Sequence, residues 1–308
     1  MSAEFVQLSL VPLLVGILAA VTCAIPGNFL ILRRQALLGD AISHVVLPGI
    51  VVAFLVTGQV TTWAMLIGAT VAAVTAVLLI EAVRRLGRVD SGAAMGVVFT
   101  TMFAAGVIIL EQSSARSVHL DVEHALYGNL ESLVWLAADG LHAFADPAAL
   151  ADLPPALPRL LAVLAVVVAF HVIFWRALVV ATFDEGFARM VGVPVRATSA
   201  ALIVLVAVAA VAAFEAVGAI IVIAMFICPP AAARLMTDDL KRQVAWSVLF
   251  AMLASVIGFF LAAEGPAIFG SENAVSAAGM IATVSGLILG AAVLFGPRRQ
   301  RAGTPSGV

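Results

Sequence analysis

A chain of 308 residues that is 63% hydrophobic and only 11% charged, with a mean hydropathy of +1.16, has too little polar surface to cover a water-soluble globule. Its net charge of −2 argues against nucleic-acid binding as a main role. Its two cysteines, Cys23 and Cys228, lie inside apolar runs and make neither a disulfide framework nor a zinc motif.

A helix needs roughly 20 apolar residues to cross the hydrocarbon core, and backbone groups in lipid must bond within their own segment. The pattern therefore specifies an all-α integral membrane protein, a polytopic bundle of about nine transmembrane helices. The first run, 5–28, has Glu4 where a secretory leader would carry Lys or Arg, so it reads as a retained span. Spans at 38–58, 61–83 and 91–112 follow. An acidic loop comes next at about 113–157, with Asp121, Glu123, Glu131, Asp139, Asp146 and Asp152 and a cluster of prolines, Pro154, Pro155 and Pro158. The remaining spans are expected at 158–181, 196–214, 215–235, 243–263 and 273–296, before a short tail, 297–308. Gly27, Gly58, Gly87 and Gly265 are expected at turns. The pairs Gly92–Gly96 and Gly286–Gly290 have the spacing of close helix packing in lipid, which a glycine-rich chain also produces by chance.

Basic loops face the cytoplasm. Alternating the nine spans gathers Arg33, Arg34, Arg84, Arg85, Arg88, Arg176, Arg189, Arg196, Arg234, Lys241, Arg242, Arg298, Arg299 and Arg301 on one side, 14 of the 16 basic residues. Only Arg116 and Arg159 fall on the other. The tail is then cytoplasmic, the N-terminus and the acidic loop outside. Merging 196–214 with 215–235 would break this alternation.

Charged groups inside a membrane cost about 2.5–3.5 kcal/mol each on insertion scales, so the few present need a reason. Asp40 and His44 open the second span, and a four-residue spacing puts them on one helix face. A carboxylate oxygen and an imidazole nitrogen suit zinc, manganese or iron. Two ligands from one helix leave the shell incomplete, as an ion that must leave again requires. Pro48 cannot donate to the His44 carbonyl, which adds a candidate oxygen donor. The plainer reading is an Asp N-cap with an unrelated His one turn on. Glu215 is a second intramembrane carboxylate with no basic neighbour in sequence. It is a candidate pathway group or a loop end facing outer water. Pro229 and Pro230 free the carbonyls of Met225 and Phe226, so a kink is expected there.

The cytoplasmic segment Phe183–Pro194 reads as a short helix, about 183–192, with Gly192 placed to end it and Pro194 to prevent its resumption. Its apolar side chains, Phe187, Met190 and Val191, suggest either a docked partner or a helix resting on lipid headgroups. His119, Asp121, Glu123 and His124 in the outer loop attract cations or are ordinary solvated residues. No phosphate-binding loop, nucleophile elbow or H-E-x-x-H motif occurs, so the chain is not expected to be an enzyme or to hydrolyse ATP itself.

Several blocks together resemble one family over nearly the full length: Leu30–Arg34, Gly39–Gly49, Gly96–Ala104, Leu126–Leu130, Asp184–Gly192, Phe214–Gly218 and Pro229–Leu235. The chain resembles the permease subunits of ATP-binding-cassette (ABC) importers for zinc, manganese and iron. The resemblance implies a single transmembrane permease domain, 1–308, folded like the vitamin B12 importer permeases, in the bacterial cytoplasmic (inner) membrane. It implies separate ABC ATPase subunits, a periplasmic or surface metal-binding protein, a second permease copy and surrounding membrane lipid as partners. No cofactor is held permanently; the divalent ion, zinc or manganese, is cargo. Asp40 and His44 match the metal-transit ligands. The segment carrying Asp184, Glu185, Phe187, Ala188, Met190 and Gly192 matches the coupling helix seated in the ATPase. The outer loop is longer and more acidic than the family pattern. The ending Leu294–Arg299 looks like the subtype in which two different permeases pair, so homodimer and heterodimer both stand.

The alternative is a secondary metal carrier driven by an ion gradient, with Asp40, His44 and Glu215 as coupled sites. Such a carrier has no use for a docking helix. An intramembrane metallohydrolase would need a third ligand and a general base on adjacent spans, and neither is evident.

Overall fold

The computed structural model describes residues 3–36, 38–58, 62–112, 130–138, 140–268 and 275–297. His119, Asp121, Glu123, His124, Asp139, the 126–129 block and the tail beyond residue 297 lie outside them. Among the described residues eight helices are long and apolar enough to cross a membrane. They are α1 (Val6–Leu32), α2 (Leu38–Thr57), α3 (Thr62–Gly87), α4 (Ser91–Gln112), α5 (Ala156–Phe183), α7 (Val195–Met236), α8 (Leu240–Ile268) and α9 (Ala277–Phe295). Between α5 and α7 sits the six-residue α6 (Glu185–Met190).

The eight helices hold the nine expected spans, because 196–214 and 215–235 both lie within α7, on either side of a non-helical residue. α7 runs over 42 residues. It is interrupted at Gly218, where φ is 80° and ψ is 171°. Positive φ suits glycine, and the conformation leaves the helical region. The halves on either side, roughly 35 and 27 Å long, are each long enough to cross. Arg196 lies near one end of α7 and Arg234 near the other, so keeping both on the basic side requires the chain to return at this interruption.

The break thus falls at Gly218 rather than at Pro229–Pro230, through which the helix runs unbroken. Pro230 leaves the Phe226 carbonyl without its intrahelical donor. Gly27 packs against that carbonyl: a Cβ on Gly27 would lie 2.5 Å from Phe226 O and 2.9 Å from Pro230 Cγ. Gly27 is therefore a contact residue inside α1 rather than a turn, and Gly265 likewise lies inside α8. Gly58, at φ +66° just after α2, and Gly87, the last residue of α3, do end their helices.

The chain forms two compact units. In the first, Phe29–Val122 with Val167–Ala212, helices α2, α3 and α4 pack on one another. Backbones touch there: a Cβ on Gly68 would lie 2.4 Å from Gly49 O, and one on Gly106 would lie 2.7 Å from Pro48 Cβ. The pairs expected to pack closely behave otherwise. A Cβ on Gly96, Gly286 or Gly290 would meet nothing within 4 Å, and one on Gly92 only the carboxylate of Asp90.

The second unit comprises Met1–Asn28, Glu123–Val166 and Ala213–Val308. Here α8 packs on α9, with Gly258 against the Ile281 backbone. Trp135 is fully buried, and its indole N–H donates to Ala149 O at 2.8 Å. Glu131 accepts from the Ala277 N–H at 2.6 Å, placing a carboxylate at the positive N-terminal end of α9. Part of the acidic loop is thereby structural.

Candidate metal-transit site

α2 carries Asp40 and His44 one turn apart, with His44 Nε2 3.4 Å from Asp40 Oδ1. Both side chains are partly exposed, at 40% for His44 and 31% for Asp40. The imidazole is held by two aromatic rings from α4, themselves one turn apart. It stacks on Phe99 (centroids 5.3 Å, interplanar angle 18°) and meets the edge-on ring of Phe103 at 5.8 Å. The seating of Gly106 against Pro48 fixes α4 beside α2 one turn beyond His44. Among the described residues no group of three His, Cys, Asp or Glu side chains gathers around an ion-sized space. The arrangement is a half-open carboxylate–imidazole pair on a braced helix.

Glu215 belongs to the other unit and has a partner absent from its sequence neighbourhood: Arg159, in the first turn of α5, forms an ion pair with it. Arg159 is mostly buried, at 16% exposure, and Glu215 is 36% exposed. The pair puts the Gly218 region of α7 beside the first turn of α5, the end that the charge pattern assigns to the outer face. It also matches a carboxylate in the apolar layer with a cation. Removing either partner strands a charge, so Glu215→Gln and Arg159→Gln are each expected to lower the melting temperature. The double variant should lose less than the sum, with a coupling of about 1 kcal/mol given the partial exposure. Thermal melting of the four proteins measures it, and additive losses would show that the two charges do not interact.

The segment after α5 folds as expected. The Asp184 carboxylate caps α6, accepting from the Phe187 N–H at 2.9 Å. Gly192 turns the chain at φ +80°, and the Val193 N–H bonds back to Ala188 O at 2.9 Å. Arg189 pairs with Glu185 at 3.0 Å. Ala188 is fully buried against Ala181 and Val195, so it seats α6 on the flanking helices and faces no partner. Phe187, Met190 and Val191 point outward, Met190 at 80% exposure.

Residues 4–136 and 156–295 match the ABC 3 transport family. The chain belongs to the ABC 3 transport family. It is 38% identical over 282 residues to the manganese transport system membrane protein MntD of Bacillus subtilis, covering 92% of this chain and 90% of that protein. It is 35% identical over 285 residues to the zinc transport system membrane protein TroD of Treponema pallidum, covering 92% and 73%. Among solved structures, PsaBC from Streptococcus pneumoniae in complex with Fab superposes with a TM-score of 0.72 at 27% identity, covering 94% of this chain and 92% of that one. The fold is also shared with an inward-facing metal-chelate type ABC transporter, with a TM-score of 0.65 at 14% identity. As an ABC 3 member the chain is a multi-pass permease subunit that works with ATPase and substrate-binding partners, not an enzyme itself. That membership sets aside the gradient-driven carrier.

Sequence reasoning passed over several groups in this ABC 3 chain. Phe99 and Phe103 were legible as an i, i+4 aromatic pair but had no link to His44 until α2 and α4 were seen together. Asn28, Gln243 and Ser247 are fully buried and bonded to one another: Asn28 Nδ2 donates to Ser247 Oγ (2.7 Å), and Gln243 Nε2 donates to Asn28 Oδ1 (3.0 Å). The signal was available, because amides inside apolar spans seek one another.

Proposed function

We propose that this chain is the permease subunit of a bacterial inner-membrane importer for a divalent transition metal, manganese or zinc, driven by ATP hydrolysis in separate ABC subunits. The observation that carries the reading is the Asp40–His44 pair in a chain of this family. Two ligands bound to one tetrahedral ion at about 2.0–2.1 Å lie about 3.3–3.4 Å apart, which matches the observed 3.4 Å. An arriving ion exchanges part of its water shell for Asp40 Oδ1 and His44 Nε2, and Phe99 and Phe103 keep the ring from turning away. Because α2 supplies only two side-chain donors, the ion remains exchangeable and passes on. The names of the relatives support manganese and zinc alike, and an oxygen–nitrogen donor pair accommodates both.

In this reading α6 is the element on which the ATPase acts, Phe187, Met190 and Val191 its contact face, and Asp184 and Glu185 its structural polar groups. A second permease copy completes the pathway, and a substrate-binding protein delivers the ion to the outer face. Proteoliposomes containing the permease, its ATPase and its binding protein test the function: ATP-dependent uptake of radioactive manganese or zinc is expected. Uptake that persists without ATP, or none of either metal, refutes it. The outer placement of the acidic segment has its own check. Ala137→Cys, in a background lacking Cys23 and Cys228, is expected to react with an impermeant maleimide on intact cells. Reaction only after permeabilisation inverts the topology.

A further inference from the structure

Within the unit formed by 29–122 and 167–212, a cleft of about 620 Å³ opens where α1, α3 and α5 end and α6 and α7 begin. Six arginines line it: Arg33, Arg34, Arg84, Arg85, Arg189 and Arg196. The two acidic residues in its wall are already engaged. Glu81 accepts from Arg84 at 2.9 Å and from Arg85, and Glu185 accepts from Arg189 at 3.0 Å. Arg33 donates to two neutral hydroxyls, Thr182 Oγ1 at 3.0 Å and Ser199 Oγ at 2.9 Å.

This leaves donors over. Arg33 Nη2 and Arg84 Nε are buried and meet no acceptor among the described residues. Arg34 and Arg196 add two exposed guanidinium groups to the wall. Burial lowers the Arg33 guanidinium from its ordinary value and the charge of Glu185 opposes this, but a guanidinium stays protonated, so the surplus positive charge persists. Those two atoms are closed off from the cleft, but six guanidinium groups against two engaged carboxylates leave its wall with a surplus of positive charge that favours an anion.

The rest of the wall says which anion. One helical turn from Glu81 toward the middle of α3 the lining becomes apolar, with Val77 and Leu78, and Ala200 and Ile203 continue it on α7. Leu78 is 63% exposed, so the apolar wall runs out onto the open flank of α3. A free anion would use the arginines and leave this wall unfilled. A phosphodiester joined to an acyl chain uses both, and the charge pattern assigns these arginines to span ends on the basic side, where headgroups are expected.

We infer that this cleft is a binding site for the phosphate of an anionic membrane phospholipid. Its oxygens accept from the exposed part of the Arg84 guanidinium and from the Arg196 guanidinium, and its acyl chain lies along Leu78. The site is separate from Asp40 and His44, and it borders α6 through Glu185 and Arg189. Neither its occupancy nor its test depends on which ion is transported.

Native mass spectrometry of the purified full-length permease, titrated with phosphatidylglycerol or with phosphatidylcholine, tests it. Wild type is expected to hold one phosphatidylglycerol at collision energies that strip phosphatidylcholine. Each of Arg84→Gln and Arg196→Gln should weaken that retention about fivefold, at ~1 kcal/mol per arginine near a charged headgroup. Arg242→Gln, which removes an equal charge from α8, should leave it unchanged. Arg33 is spared because its bonds to Thr182 and Ser199 hold the unit together, and melting in phosphatidylcholine alone confirms that the two variants fold. Equal retention of the two lipids, or retention in both arginine variants at the wild-type level, overturns the site. Displacement of phosphatidylglycerol by millimolar inorganic phosphate shows a free-anion site and overturns the lipid assignment. Displacement by the ATPase subunit assigns the cleft to an acidic protein segment and overturns it as well.

Discussion

Asp40→Ala and His44→Ala are each expected to lower ATP-driven metal uptake at least about a hundredfold while leaving the permease folded and bound to its ATPase. Loss of a group that merely orients a metal ligand already costs 10–100-fold, and here one of two side-chain donors disappears. Neither residue carries the fold: both side chains are partly open, and the packing of α2 on α3 and α4 runs through Gly49, Gly68, Pro48 and Gly106. Phe99→Leu separates ligation from orientation. It keeps both donors, removes the stacked ring, and should cost less than either ligand. Uptake near the wild-type level in both alanine variants would remove the transit site and leave Asp40, the third residue of α2 rather than its N-cap, as a first-turn carboxylate at the positive end of the helix.

Phe187→Ala should reduce co-purification of the ATPase by about 30-fold, the loss typical of an aromatic anchor worth ~2 kcal/mol at a protein interface. The matching charge test is Asp184→Asn rather than Asp184→Ala. The Asp184 side chain caps α6, and asparagine preserves the cap while removing the charge, whereas alanine would unravel the helix and confuse folding with docking. Asp184→Asn is expected to stay within about threefold of wild type, because exposed charges at an interface rim set orientation more than affinity. Metal binding at Asp40 and His44 should be unchanged in both. Full assembly and full metal-stimulated ATPase activity in Phe187→Ala would mean that α6 lies on lipid headgroups.

Periodicity and charge carried most of the fold. Long apolar runs define spans with little ambiguity, and capping chemistry placed α6 to within two residues, because Asp184 and Gly192 have local reasons to be where they are. Glycine was the poor guide. In water-soluble chains it marks turns, but in a membrane its absent side chain also admits another backbone, as at Gly27, while Gly265 lies within α8 with open space beside it; Gly58 and Gly192 do mark turns. The interruption of α7 went to Gly218 because only a glycine adopts that backbone cheaply, whereas the carbonyls freed by Pro229 and Pro230 left the helix intact. At the site, the Asp40–His44 pair was legible because it lies within one turn of one helix. The aromatic clamp on His44 and the Arg159 partner of Glu215 were not, because each joins residues far apart in the chain.

The buried amide of Asn28 has a consequence for how the chain is made. Its partners Gln243 and Ser247 are synthesised 215 and 219 residues later, roughly 10–40 s at ordinary rates of translation. Throughout that interval the first helix must stay in the bilayer with a polar side chain and without the neighbour that completes it. Asn28 Nδ2 also donates to Ala24 O at 2.8 Å and to Ile25 O at 3.3 Å, within its own helix. Those carbonyls are partners the amide has within α1 before α8 exists, and in the folded chain Gln243 and Ser247 add the bonds that join the two helices. One side chain thus has partners both within the lone helix and in the finished pair.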